Sequence, residues 1–413
     1  MHRSALGEWE GVVVVTPDAL LAAIDGVGAD RRRGGYSRHV FDDAERELRE
    51  WFVEQAEARD LRVTTDRNAN IWAWWGEPGD AAVVTGSHLD SVPGGGAFDG
   101  PLGVVSSLSA VDLLRAKGFR PRRPLAVVVF AEEEGGRFGV PCLGSRLLAG
   151  TIDADRARAL RDPSGVTFAE AMSSFGADPS LVGRDEEALR RIGQFVELHV
   201  EQGRGLIDLD RPVAVASSIL AHGRWRFRFS GQGNHAGATL LADRRDPMLP
   251  AAQLVVEARR AAGAVADGRA TVGRLVPTPG GTNVIASTVD VWLDARSPLD
   301  AGTRSMVADL TGAAQELAAA EGCQVEVVEE SYGDTVHFDP AFRDQLSGLL
   351  GDVPALATGA GHDAGVLAAE VPTAMLFVRN PTGISHAPEE HAEADDCTEG
   401  AHALARVLER LAG

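Results

Sequence analysis

Cysteine is scarce in this chain of 413 residues, with three at Cys142, Cys323 and Cys397, far apart and without Cys-x-x-Cys spacing. An odd, scattered set supplies neither a disulfide framework nor a thiolate metal site, so buried free thiols are expected. Long apolar runs are missing too. Residues 12–15 are far too short a stretch to span a bilayer. Residues 1–10 carry two acids and no adequate apolar core, unlike a signal peptide. Together these absences fit a reduced cytoplasm. Bases are outnumbered, 40 Lys and Arg against 60 Asp and Glu, for a formal charge of -20. Such a field repels polyanions and argues against general binding to nucleic acid or anionic membranes, while small anions can still bind locally. Arg224-Trp-Arg-Phe-Arg228 and Arg244-Arg245 are either local positive pockets or solvated charges. No internal repeat or low-complexity tract interrupts the chain.

What remains is the composition of a globular enzyme, 44% hydrophobic and 24% charged, at a length that favours about two domains. Helical periodicity runs over 17–24 and 41–59, and 62–75 reads as a hairpin turning near Asn68-Ala-Asn70. Short β-branched apolar runs at 81–85 and 125–130 are separated by a helix expected over 103–117. From about Val213 the texture changes to alternating strands at 225–229, 288–293 and 325–328 around helices at 247–262 and 301–321. After about Ser331 the α/β pattern returns, with a buried strand at 374–378 and a closing helix at 398–411. The expected fold is therefore α/β: a discontinuous domain, 1–212 and 329–413, carrying an inserted α+β domain at 213–328.

Five polar segments follow or flank the apolar runs: Gly86-Ser-His-Leu-Asp90, Phe98-Asp-Gly100, Phe130-Ala-Glu-Glu-Glu-Gly-Gly-Arg-Phe138, Glu197-Leu-His-Val-Glu-Gln-Gly203 and Gly383-Ile-Ser-His-Ala-Pro-Glu389. Open α/β sheets place ligands at the carboxyl ends of their strands, where such segments fall. His88 and Asp90 project to one face, so that one can ligate while the other orients it, although a histidine there is, alone, more often structural. Asp99 sits in a glycine-bounded loop that can turn sharply. Three consecutive acids, Glu132 to Glu134, directly after an apolar strand are costly to desolvate without cations. His88, Asp99, Glu134, His199 and His386 form a nitrogen and oxygen donor set suited to two divalent ions, zinc or manganese or cobalt. Glu133 is left free as a base toward the attacking water, and Glu132 is read as solvated.

In order and spacing these segments resemble the M20 peptidase superfamily, specifically its amidase, hydantoinase and carbamoylase branch, over nearly the whole chain. The resemblance implies a discontinuous dinuclear-metal catalytic domain with the inserted α+β domain as its dimerisation or lid domain, and it implies His88 and His199 on one ion, Glu134 and His386 on the other and Asp99 bridging them. Glu133 is the implied general base. Gly233-Asn-His-Ala-Gly237 is similar to the segment whose histidine, here His235, stabilises the oxyanion, generally from a partner subunit. Asn283 and Arg296 are similar to the pair that holds the substrate carboxylate, where a guanidinium can make two parallel hydrogen bonds. Gln202 and the loop Gly359-Ala-Gly361-His-Asp363 are implied pocket elements, and Arg379 either binds a second acid or pairs on the surface. The branch differs at Ala286, where proline is common, and at Gly94, where asparagine is.

The expectation is a homodimeric hydrolase of a linear C–N amide bond in a small carboxylate-bearing N-carbamoyl or ureido acid. Allantoate comes first, N-carbamoyl-L-amino acids next, and N-formyl or other N-acyl amino acids after them. A dipeptidase or aminopeptidase, and a silent binding protein, are the rivals. The last would tolerate loss of ligands, yet all five and the base are present.

Overall fold

In the computed structural model, which describes residues 13 to 413, the chain has a mixed α/β fold and divides into two compact units. Residues 1–10, read above for a signal peptide, lie outside the described residues. One unit comprises the chain up to Ser217 together with Phe338–Gly413; the other is Ser218–His337. Sequence alone put the borders at 213 and 328. Two strands make the difference. Val213 already pairs with Val378 in the larger unit's sheet, and the strand expected to stop at 328 continues to Gly333, opposite His222.

The strands are β1 (Arg62–Thr65), β2 (Ile71–Trp75), β3 (Ala82–His88), β4 (Leu125–Phe130), β5 (Ile192–Val200) and β6 (Val213–Ile219). They continue as β7 (Ala221–Ser230), β8 (Asn234–His235), β9 (Arg269–Thr278), β10 (Val284–Ile285), β11 (Thr288–Ser297), β12 (Gln324–Gly333) and β13 (Val336–His337). The last two are β14 (Ala355–Thr358) and β15 (Thr373–Val378).

In the larger unit the sheet runs β1-β2-β4-β3-β5-β15-β6, with β14 also on β6. Its centre, β4-β3-β5-β15, is parallel. Buried on both faces, these strands read as continuous apolar runs, the usual composition of covered parallel strands. Helices Pro101–Ala116 and Ala394–Ala412 pack together against this sheet. The first is buried almost all round and begins two residues before the expected 103, because Pro101 suits the first helical turn after Gly100. The hairpin turn is held by Asp66, whose Oδ1 accepts from the backbone N–H groups of Asn68 and Asn70, each at 2.9 Å. Four short α-helices between Leu143 and Arg191 were not read from the sequence; three of them, Leu143–Ala149, Ala154–Ala159 and Phe168–Ser174, bury Phe41 and Phe138 in a separate small core.

Parallel strands share one carboxyl edge. His88 ends β3, the acidic run follows β4, His199 lies at the end of β5, and the His386 segment follows β15. Gly86 makes this delivery possible: its φ is +147° and an added Cβ would lie 1.9 Å from the Val128 carbonyl oxygen. Gly86→Ala is expected to lower stability by about 3 kcal/mol, the upper range for overpacking in a core. A denaturant midpoint equal to wild type would contradict this close approach.

The smaller unit is a four-stranded antiparallel sheet, β12-β7-β11-β9, with helices Met248–Gly263 and Asp300–Ala320. Alternation along β7 sends Trp225, Phe227 and Phe229 into the core and Arg224, Arg226 and Arg228 to the other face. There the arginines are ion-paired: Arg226 and Arg228 with Asp290, and Arg226 with Glu330. The cluster is a charge ladder rather than an open positive pocket.

Candidate metal centre and hydrolytic site

His88 and His199 are fully buried, and each is fixed through Nδ1. His88 Nδ1 donates to the Asp90 carbonyl at 3.0 Å and His199 Nδ1 to the Val200 carbonyl at 2.9 Å. That leaves the lone pair on each Nε2, directed at Asp99 Oδ1 from 3.6 Å and 3.2 Å. Neither Nε2 has a hydrogen-bond partner. On the other side of the same carboxylate, Asp99 Oδ2 lies 3.3 Å from His386 Nε2, which is 3.4 Å from Glu134 Oε2. Two donor groups result, His88–Asp99–His199 and Asp99–Glu134–His386, each with its ligating atoms within 4.8 Å of one another. Asp99 belongs to both.

Electrostatics carry the same message. Burial would raise the Asp99 carboxyl, but the His199, His386 and His88 imidazoles gathered around it hold it well below the usual range. Burial pushes Glu133 well up, against the pull of His88. Burial and the nearby Asp99 take Glu134 to about 7. Acids crowded and desolvated in this way are stabilised as carboxylates by cations, and orphaned buried imidazole nitrogens are what a divalent metal needs. The residues present therefore fit divalent metal.

Asp90 takes a different place from the one expected. Its main-chain carbonyl, not its carboxylate, makes the short contact with His88; the carboxylate accepts from the backbone N–H groups of Glu133 at 3.2 Å and Glu134 at 3.1 Å. It thus ties the end of β3 to the acidic run. Glu132, read as solvated, is fully buried: Oε1 accepts from the N–H groups of Arg137 at 3.0 Å and Phe138 at 2.6 Å, closing the turn after the acids, and burial takes it to about 8. Glu133 reaches toward His88, with Oε2 3.6 Å from Nε2. Gln202 does lie at the cluster, donating to Asp99 Oδ2 at 2.8 Å. Gly361 has open space where a Cβ would be. Arg379 pairs bidentately with Asp396 and also meets Asp210, so it serves the fold.

Several residues at this cluster were not singled out from the sequence. Glu197 accepts from Ser87 Oγ at 2.8 Å and Ala364 N–H at 2.9 Å, tying β3 to the His362 loop. It stands two residues before His199 on the same strand, so alternation alone puts both on one face. His362 is buried with its ring centroid 4.4 Å from that of His199. Glu390 accepts from the N–H groups of Phe98 at 3.0 Å and Asp99 at 2.8 Å and from Ser385 Oγ at 2.9 Å. No local pattern pairs residue 390 with residue 99.

In the smaller unit, His235 is exposed on β8, which pairs with β10 beside Asn283. Its Nδ1 accepts from the N–H groups of Gly237 and Ala238, each at 3.1 Å, so the neutral ring carries its proton on Nε2. Arg296 is engaged by Asp294 through Nε at 2.6 Å and Nη2 at 2.8 Å.

The model of peptidase family M20/M25/M40 matches residues 84–410. The chain belongs to this family. It is 36% identical to an N-carbamoyl-L-amino acid amidohydrolase of Geobacillus stearothermophilus, over 92% of this chain and 94% of that protein. It is 32% identical to an allantoate amidohydrolase of Bacillus subtilis strain 168, over 81% of this chain and 82% of the other. Its fold is similar to the solved structure of an amidase of the hydantoinase/carbamoylase family from Burkholderia vietnamiensis, at 30% identity and a TM-score of 0.87, covering 97% of this chain and 98% of that one.

Proposed function

We propose that this chain is a metal-dependent amidohydrolase cleaving the linear C–N bond of a small N-carbamoyl or ureido carboxylic acid. The observation that carries the reading is the pair of donor groups sharing Asp99, one wholly buried and the other opening to solvent at His386, with Glu133 beside them. Two divalent ions would be held, one by His88, Asp99 and His199 and the other by Asp99, Glu134 and His386. When bound, they would supply Lewis acidity toward the substrate carbonyl and the attacking water. Glu133 would take the proton from that water and deliver it to the leaving nitrogen. His235 Nε2–H would donate to the oxygen on which negative charge develops, from a partner subunit of a homodimer formed through the smaller unit. Asn283 and Arg296 would hold the carboxylate, and Gln202 and Gly361 would line the pocket.

N-carbamoyl-L-amino acids are placed ahead of allantoate, because the relative named for them is more similar and matches more of the chain. Ammonia release from N-carbamoyl-L-amino acids and allantoate, and formate release from N-formyl amino acids, test the order. Release from none of these by metal-loaded protein would sink the reading. Elemental analysis should find two ions per chain; fewer than about one in fully active protein contradicts the shared-ligand arrangement.

Arg296→Lys is expected to raise KM for a carboxylate substrate about 10- to 100-fold, since an ammonium cannot reproduce the two-point grip of a guanidinium. Asp294 already holds this guanidinium, so the substrate carboxylate must displace it or be taken beside it. A neutral amide analogue should show no such change. Equal weakening of both, or of neither, removes Arg296 from the carboxylate site.

A further inference from the structure

We propose that Cys142 is a positioning residue for Glu133, its thiol donating a hydrogen bond that fixes one carboxylate oxygen so that the other faces the metal-ligating cluster. The inference rests on the reading of Glu133 as the base. Cys142 Sγ lies 3.3 Å from Glu133 Oε1, while Glu133 Oε2 is the oxygen near His88 Nε2. The thiol is buried, and burial together with the neighbouring Glu133 and Asp363 carboxylates keeps it protonated, as a donor must be.

The main chain shows why the side chain is so well placed. Helix Leu143–Ala149 has no side-chain cap at its start. Instead the N–H groups of Cys142, Leu143 and Gly144 donate to the carbonyls of Glu133, Glu132 and Ala131, at 2.6, 3.0 and 2.8 Å. The orphan donors of a helix start are thus satisfied by the backbone of the acidic run itself. Cys142 is bound to Glu133 twice, once through the backbone and once through the side chains. It also has φ +54°, a left-handed conformation that costs any residue other than glycine. A non-glycine residue held there, with its only polar atom on the base, is more than packing requires. The short thiol reaches Oε1 without filling the space on the opposite side of the carboxylate.

The test compares Cys142→Ala, Cys142→Gly and Cys142→Ser in metal-loaded protein. Glycine removes the donor while relieving the backbone, so it guards against an alanine variant that fails to fold. Alanine and glycine should both lower kcat by about 3- to 10-fold, the worth of one modest hydrogen bond. KM, metal content and melting temperature should stay near wild type, and serine, which keeps a donor, should recover most of kcat. In a Glu133→Gln background the Cys142→Ala change should have little further effect on residual turnover, because residues acting as a unit are not additive. Wild-type kcat in the glycine variant, a serine variant as slow as alanine, or a full alanine effect on top of Glu133→Gln would each overturn the proposal. The base reading fails separately, if Glu133→Gln alone retains normal kcat.

Discussion

Glu133→Gln is expected to lower kcat by about 10²- to 10⁴-fold, the usual worth of a positioned general base, while metal content and KM stay close to wild type. The amide has the size and shape of the carboxyl but cannot accept the proton. Position argues for this split. Glu133 stands between Glu132, which closes a turn through backbone N–H groups, and Glu134, which meets His386. Of the three acids it is the one that neither caps backbone nor belongs to either donor group. Burial pushes it well above the ordinary carboxylate range, which describes a group ready to hold a proton taken from water. Single-turnover kinetics on metal-loaded protein give the check. A glutamine variant with near-normal kcat and full metal would show that Glu133 takes no proton, and a variant that lost its metal would make it a ligand.

The same acidic run shows what a sequence can and cannot express. Strand ends are legible because His88, Glu134 and His199 lie within a few residues of apolar runs whose period and length identify buried strands. Parallel pairing then brings His88, Glu134, His199 and the His386 segment to one edge. The donor chemistry was legible from residue type. The contacts that set each side chain's job were not. Glu132 and Glu133 are adjacent and identical in kind, and only the fold shows that one turns back onto Phe138 while the other faces His88. Asp90 meets His88 through its main-chain carbonyl at 3.0 Å rather than through its carboxylate at 3.6 Å, a choice between two oxygens of one residue that sequence does not express. Glu390 was invisible for a different reason: its partners Phe98 and Asp99 lie about 290 residues away, and no periodicity reports a contact of that separation. The four helices between Leu143 and Arg191 are too short for a 3.6-residue period to stand out, and the first three are held by the small core they share.

Asp99→Ala is expected to do more damage than any other single change, removing metal as well as turnover. His199 also belongs to a further donor group with Glu197 and His362, but Asp99 is the ligand common to both proposed sites, with Oδ1 toward His88 and His199 and Oδ2 toward His386. Removing it leaves two buried imidazoles on one side and an imidazole with one carboxylate on the other, too few donors for a four-coordinate site of either kind. The loss in metal affinity should therefore exceed the ~10- to 100-fold typical of removing a residue that merely supports a ligand. Ser385→Ala provides that comparison. Ser385 Oγ lies 3.1 Å from Asp99 Oδ2 and 2.9 Å from Glu390 Oε2, its one proton shared between the two carboxylates, so its loss loosens the aspartate without removing a ligand. Metal bound per chain at fixed free metal should fall steeply in Asp99→Ala and modestly in Ser385→Ala, and excess metal should restore turnover only in the serine variant. If Asp99→Ala kept both ions, the two donor groups would not share a ligand. If the two variants lost metal equally, Asp99 would be supporting its neighbours rather than joining them.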